Sequence, residues 1–286
     1  MSQPRVVVGV DGSPLSRAAV VQAAHVASTR GMTLHVLHAF APDLPMLGFG
    51  ELADRGAVTR HGEQLLRDAV AAAHAAHPDL TVTSALHDGY ASRSLIASSH
   101  TAALVVVGVA GFGVLSRTSL GAVAMQVLTH ARCPVLVVGH TSSGAPQPGG
   151  RVVVGVDGST ASLEALRAAV REAGVLGGSV DAVHAWQATG ATDPTLAAAS
   201  SWEEYVAGVE RVVDDVVAAL RPEHPDAKVE VHVVRDDPLH ALVEAAEGAA
   251  LVVVGSRGVG GFEGLHVGAT ALRLVGRSAC PVLVTR

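Results

Sequence analysis

The sequence predicts two tandem α/β domains, each winding helices around both faces of a parallel five-stranded sheet. Three observations lead there. Apolar runs of strand length, Leu104-Val105-Val106-Val107 and Leu251-Val252-Val253-Val254, stop at glycine and alternate with longer helical patterns, the order that βαβ crossovers and a sheet covered on both faces require. Arg5-Val6-Val7-Val8-Gly9-Val10-Asp11-Gly12-Ser13 recurs unchanged as Arg151-Val152-Val153-Val154-Gly155-Val156-Asp157-Gly158-Ser159, 146 residues later. A length of 286 residues, 49% hydrophobic and only 3% aromatic, fits two domains of about 100–200 residues each, with cores built from Val, Ala and Leu.

The elements follow in order. Arg5–Val10 reads as the first strand. Ser13 is placed to cap a helix over Pro14–Arg30, with Gly31 beyond its end. Thr33–Ala39 is a second strand, followed by a long helix from about Gly50 to Ala76 and a strand over Leu80–His87. A helix over Ala91–His100, a strand over Ala103–Gly108, a helix over Ser119–Ala131 and a strand over Pro134–Val138 complete the first copy. The second copy repeats this order. His38-Ala39-Phe40 returns as His184-Ala185-Trp186, and Cys133-Pro134-Val135-Leu136-Val137 as Cys280-Pro281-Val282-Leu283-Val284. Ser142–Gly150 has the glycine and proline content of a linker. The domains are therefore placed at 1–140 and 151–286, joined by 141–150.

Composition narrows the function. A net charge of −6 argues against an extended nucleic-acid surface, which would show clustered Lys and Arg. No apolar run approaches the roughly 18–20 residues of a membrane span, and Met1–Arg5 lacks a signal-peptide pattern. With two cysteines, Cys133 and Cys280, a reduced cytoplasmic setting is expected.

The residues with the most chemical content leave the strands. Gly108, Gly111 and Gly121, with Gly113 between them, share a frame with Gly255, Gly258 and Gly268: glycine, two residues, glycine, nine residues, glycine, then a helix. Such a loop either packs tightly or offers backbone N–H groups and a positive helix end to phosphates. Neither Gly121 nor Gly268 is followed by Lys, as a Walker A loop would need. Asp11 and Asp157 end the first strands, where ligands of doubly wound sheets collect. Each either accepts ribose hydroxyls or forms an Asx-turn before the next helix.

On these residues the chain resembles the universal stress protein family, and its tandem two-domain members in particular. The match runs over nearly the whole chain, twice, and implies a Rossmann-like fold of the adenine nucleotide α-hydrolase kind. The resemblance implies ATP, accompanied by Mg²⁺, with phosphates on the glycine frames and ribose on Asp11 and Asp157. It implies adenine on the backbone at Ala39 and Ala185, with Val10 and Val156 lining the cleft. It also implies a stress-response regulator, with pairing of Pro134–Val138 and Pro281–Thr285 making a built-in dimer and a further homodimer open. The family's motif ends in Ser or Thr, whereas this chain has Ala122 and Ala269, so a hydroxyl donor is missing from both copies. Arg257 stands in the second loop where Ala110 stands in the first, and the second site is expected to hold phosphate more tightly.

Two other functions stay open: a nucleotide-free interaction module with an unidentified protein partner, and an adenylating enzyme. The absence of a Gly-x-Ser-x-Gly elbow or a nucleophile–base pair favours no enzyme, or at most slow ATP hydrolysis. The 15 histidines are scattered, and no metal site is expected. His38 and His184 are read as strand-end residues that bond locally, and the two cysteines as buried free thiols.

Overall fold

The computed structural model describes residues 3–40, 55–111, 120–139, 148–186, 201–259 and 267–286. The chain divides into two compact units, the first running to Val138 and the second taking in Pro146–Arg286.

In the first unit β1 (Arg5–Gly9), α1 (Pro14–Thr29), β2 (Thr33–Phe40), α2 (Arg55–Ala76), β3 (Val82–Asp88), α3 (Ala91–Ser98), β4 (Leu104–Gly108), α4 (Ala122–His130) and β5 (Val135–Val138) alternate as expected. The second repeats them as β6 (Val152–Gly155), α5 (Thr160–Leu176), β7 (Val180–Ala185), α6 (Trp202–Leu220), β8 (Val229–Val234), α7 (Pro238–Ala245), β9 (Leu251–Gly255), α8 (Ala269–Val275) and β10 (Val282–Thr285). Strand order is β3-β2-β1-β4-β5 in one unit and β8-β7-β6-β9-β10 in the other, with all neighbours parallel.

Strand order reverses between β1 and β4, and between β6 and β9. At these switch points the crossovers diverge to opposite faces and leave a crevice at the strands' carboxyl ends. Val6, Val7 and Val8 have no exposed surface, and neither do Val152, Val153 and Val154, because central parallel strands are covered on both faces. The outer strand β3 is less buried along its length.

Local chemistry sets the helix starts. Ser13 Oγ accepts the Ser16 N–H at 3.2 Å, with Pro14 at the first helical position. Ser159 does the same for Ser162 at 3.2 Å, which satisfies donors that the helix itself cannot. Along α1, Ala19, Ala23 and Ala27 form a fully buried stripe whose small side chains bring the helix close to the sheet.

One boundary is corrected. The helix expected from Ser119 begins at Ala122, because Gly121 is extended, with φ −66° and ψ 150°. Ser119 lies outside the described residues, as do Gly113, the expected start of the long helix at Gly50 and most of the expected linker. Among the described residues no helix is long and apolar enough to cross a membrane.

Candidate functional site

Asp11 leaves β1 and Gly108 leaves β4, adjacent strands at the switch point. The turn after β1 is tied by its own acid: Asp11 Oδ1 accepts the Ser13 N–H at 2.9 Å, and Asp157 Oδ1 accepts that of Ser159 at 3.0 Å. Gly12 and Gly158 between them sit at φ 83° and 82°, a left-handed conformation that favours glycine. The Asx-turn anticipated as the alternative role of these acids is therefore present, and it leaves Oδ2 turned toward the glycine loop. In the second unit Asp157 Oδ2 accepts the Val259 N–H at 2.9 Å.

The glycine frames serve close approach. None of the six glycines has positive φ, so an unusual turn conformation is not what they supply. A Cβ on Gly111 would collide with Asp11 Oδ2, and one on Gly258 with Asp157 Oδ2. A Cβ on Gly108 would lie 3.0 Å from Leu15 Cβ, and one on Gly255 2.8 Å from the Ala161 backbone. The first glycine of each frame thus admits the neighbouring helix, and the second admits the acid. The third begins the next helix. Gly121 N–H bonds to Val109 O at 2.8 Å and Gly268 N–H to Ser256 O at 2.7 Å, which brings the third glycine of each frame back to its strand exit. Neither Gly121 nor Gly268 supplies a side-chain cap, so the first-turn N–H groups of α4 and α8 have no side-chain acceptor there.

Other expected positions are placed as follows. Ala122 and Ala269 are exposed at the first turns of α4 and α8. Val10 and Val156 are buried walls, 8% and 5% exposed. Arg257 is exposed while Ala110 is buried, so the two units differ in charge at this position. Leu37 O accepts the Val10 N–H. Because backbone groups alternate sides along a strand, Ala39 also turns its N–H and C=O toward β1, beyond that strand's end at Gly9. Val156 N–H bonds to Val183 O, and Ala185 is directed likewise past the end of β6.

His38 and His184 bond locally. Each donates Nδ1–H to the carbonyl beside the acid, Val10 O or Val156 O, at 2.7 Å. That fixes Nε2 of the neutral ring as an acceptor, and at His184 it receives the Tyr205 hydroxyl at 2.6 Å. Burial pushes the His184 imidazole below its ordinary value of 6.5, outweighing the opposing effects of Val156 and Asp157. A histidine depressed in the folded state binds fewer protons there than when unfolded, so stability rises with pH between the folded value and 6.5. We expect the second unit's denaturation midpoint, followed by tryptophan fluorescence, to hold above pH about 6.5 and fall as pH drops below it. His184→Gln should flatten that slope; an unchanged slope would remove His184 as its source.

The histidines left aside in the sequence bear further description. His74 Nε2 meets Leu80 O at 3.2 Å, and the His25 and His77 rings lie 5.7 Å apart. Among the described residues, two groups of three ligand-type side chains occur in the second unit, Asp181/Glu230/His232 and Asp236/His240/Glu244. Asp181 already pairs with Arg151 at 2.6 Å. Asp236 bonds to His240 Nδ1 at 2.5 Å and raises its basicity, which opposes metal binding. The four-residue spacing of Asp236, His240 and Glu244 was visible in the sequence; the strand pairing that joins Asp181 to His232 was not. Cys133 and Cys280 are buried free thiols, and burial raises the Cys280 value.

A concavity of about 370 Å³ lies at Gly174, Gly177, His224 and Lys228, beside the amino end of β7. It is thus at the opposite sheet edge from the acids and glycines, and the strand-end site owes nothing to it.

Sequence reasoning missed an aromatic cluster beside Ala185. Trp202 and Tyr205 stack at 5.6 Å and 21°, and Trp186 meets Trp202 edge-on at 5.8 Å. The Arg235 guanidinium lies 4.2 Å above the Trp202 ring.

Comparison with known proteins bears on the family and the fold. The model of the universal stress protein family matches residues 4–139 and again 150–286. A universal stress protein of Mycobacterium tuberculosis is 34% identical over 292 residues, covering 98% of this chain and 96% of its own length. One of Mycolicibacterium smegmatis is 34% identical over 288 residues, with the same coverage of 98% and 96%. The crystal structure of a universal stress protein from Archaeoglobus fulgidus superposes with a TM-score of 0.74 at 20% identity, over 100% of this chain and 99% of that one.

Proposed function

This chain belongs to the universal stress protein family, and from that premise we propose that each unit binds an adenine nucleotide, ATP with Mg²⁺, whose occupancy sets a surface read by a protein partner in a stress response. The observation that carries it is the meeting, in both units, of a strand-end carboxylate with a glycine on which a Cβ would collide with that carboxylate. The phosphates would lie on the loop N–H groups and the positive end of α4 or α8. The ribose hydroxyls would reach Asp11 or Asp157. The paired N–H and C=O of Ala39 or Ala185 match the acceptor and donor on an adenine edge. Mg²⁺ would be held mainly by phosphate and water. The proposed role is binding rather than turnover: no positioned base or lysine stands at the acids among the described residues.

Calorimetric titration of nucleotide-stripped full-length protein with ATP tests this, beside a variant carrying Asp11→Ala and Asp157→Ala. Saturable heat that collapses in the variant is expected; equal heat in both would contradict the site. The nucleotide-free interaction module is favoured by Ala122 and Ala269 in place of the family's hydroxyl residues, and by both oxygens of Asp157 already accepting N–H groups, from Ser159 and Val259. Absence of any saturable heat would favour it.

The exposed Ala122 and Ala269 allow a gain-of-function test. Restoring a hydroxyl with Ala122→Ser and Ala269→Ser adds one donor at each first turn. A net hydrogen bond contributes about 0.5–1.5 kcal/mol, so ATP affinity should rise up to about tenfold. Unchanged affinity in the double variant would place the phosphates elsewhere.

A further inference from the structure

Among the described residues the aromatic cluster belongs to the second unit only. Strand register aligns Phe40 with Asp88 in the first unit. Continuing the β7–β8 register past Ala185 and Val234 puts Trp186 and Arg235 at the same place in the second. The burial rhythm of the long helices aligns Gly62 with Tyr205. A Cβ on Gly62 would lie 2.9 Å from the His38 ring, so the first unit has no room there for the tyrosine that bonds His184. The first unit thus has an exposed Arg55–Asp88 ion pair where the second has a guanidinium on an indole. Both tryptophans and one of the two tyrosines of a chain that is only 3% aromatic gather at this corner.

We propose that Trp186, Trp202 and Arg235 form a base-stacking platform that makes the second unit the tighter and base-selective nucleotide site. The inference rests on the proposed nucleotide function and adds to it which unit discriminates the base, and how. Three observations support it. Trp186 directly follows Ala185, so a base whose edge reaches the Ala185 backbone lies one residue from the platform. Tyr205 and His184 connect the cluster by two hydrogen bonds, 2.6 and 2.7 Å, to the carbonyl of Val156, the residue before Asp157. Trp186 and Trp202 are only partly buried, and the exposed Arg235 stacks on Trp202 at 4.2 Å, the position a planar ring would take. A base on Trp202 releases the guanidinium to the anionic part of the same ligand, since cation and base compete for one π-face. Among its described residues the first unit, with Phe40, Gly62 and Asp88, has no such platform, and its Arg55 is paired with Asp88.

The test uses full-length protein freed of nucleotide, as wild type, Trp202→Ala and Trp202→Phe, titrated with ATP and with inorganic triphosphate. Base stacking on an aromatic side chain is worth enough that alanine substitution costs about 5- to 150-fold in affinity. Trp202→Ala should weaken the tighter ATP site by at least about fivefold, leave triphosphate binding unchanged, and be largely rescued by Trp202→Phe. ATP should also change tryptophan fluorescence over the concentration range of the tighter site. Unchanged ATP binding in Trp202→Ala would overturn the inference alone. So would equal weakening of ATP and triphosphate, which would make the cluster a structural support. No saturable ATP binding by the wild type would overturn the proposed function as well.

Discussion

Gly258→Ala should weaken ATP binding in the second unit by about 10- to 150-fold, while leaving the first unit's site intact. The added methyl would collide with Asp157 Oδ2. That carboxylate has little freedom to move, because Ser159 N–H holds Oδ1 at 3.0 Å and Val259 N–H holds Oδ2 at 2.9 Å. Either the acid leaves the ribose position or the loop moves off the strand end, and both outcomes lose the charged contact. Hydrogen bonds to charged groups contribute about 1.5–3 kcal/mol, which converts to the quoted range. The cost in stability should be small, since Gly258 is exposed. Titration calorimetry with separate fits for two sites reads the result, and Gly111→Ala should do the same to the first unit. Equal loss at both sites from Gly258→Ala alone, or no loss at all, would contradict it.

Gly255→Ala is expected to act on folding instead. Its Cβ would lie 2.8 Å from both the carbonyl carbon and oxygen of Ala161, backbone atoms of the first turn of α5 that cannot rotate aside. Overpacking of this kind costs about 1–3 kcal/mol. A cost of about 2 kcal/mol lowers the thermal midpoint of a domain of this size by roughly 4–10 °C. Gly155→Ala is the matched control. Its Cβ would meet the tip of Leu242 at 3.2 Å, and a leucine methyl yields where a peptide carbonyl does not. A larger drop from Gly155→Ala than from Gly255→Ala would reverse this assignment.

The sequence made the strands legible because the chain repeats itself. Val6–Val8 and Leu104–Val107 are continuous apolar runs ending at glycine, and their copies removed ambiguity between strand and buried helix. The turn chemistry at Ser13 and Ser159 was legible for the same reason. The start of α4 was not, since the apolar pattern runs back to Ser119 while the extended Gly121 delays the helix to Ala122.

At the site, the glycine spacing was readable but its purpose was not. Three glycines after a strand suggest a flexible turn, whereas their use here is proximity: to Leu15 or Ala161, and to Asp11 or Asp157. That depends on β1 lying beside β4, a pairing no local pattern specifies. The second unit's platform was hidden more deeply. Trp186, Trp202 and Arg235 come from three elements, and only the packing of α6 over β7 and β8 brings them together. The substitution of Trp186 for Phe40 was the single trace of it in the repeat.

Counting bound nucleotide tests the central claim most directly. Equilibrium dialysis of nucleotide-stripped full-length protein against labelled ATP and Mg²⁺, at the concentration that just saturates the wild type, should give two bound nucleotides per chain, falling toward one in either Gly111→Ala or Gly258→Ala and toward none in the double variant. Saturation absent from the wild type, or stoichiometry unchanged in the double variant, would contradict nucleotide binding at these strand ends.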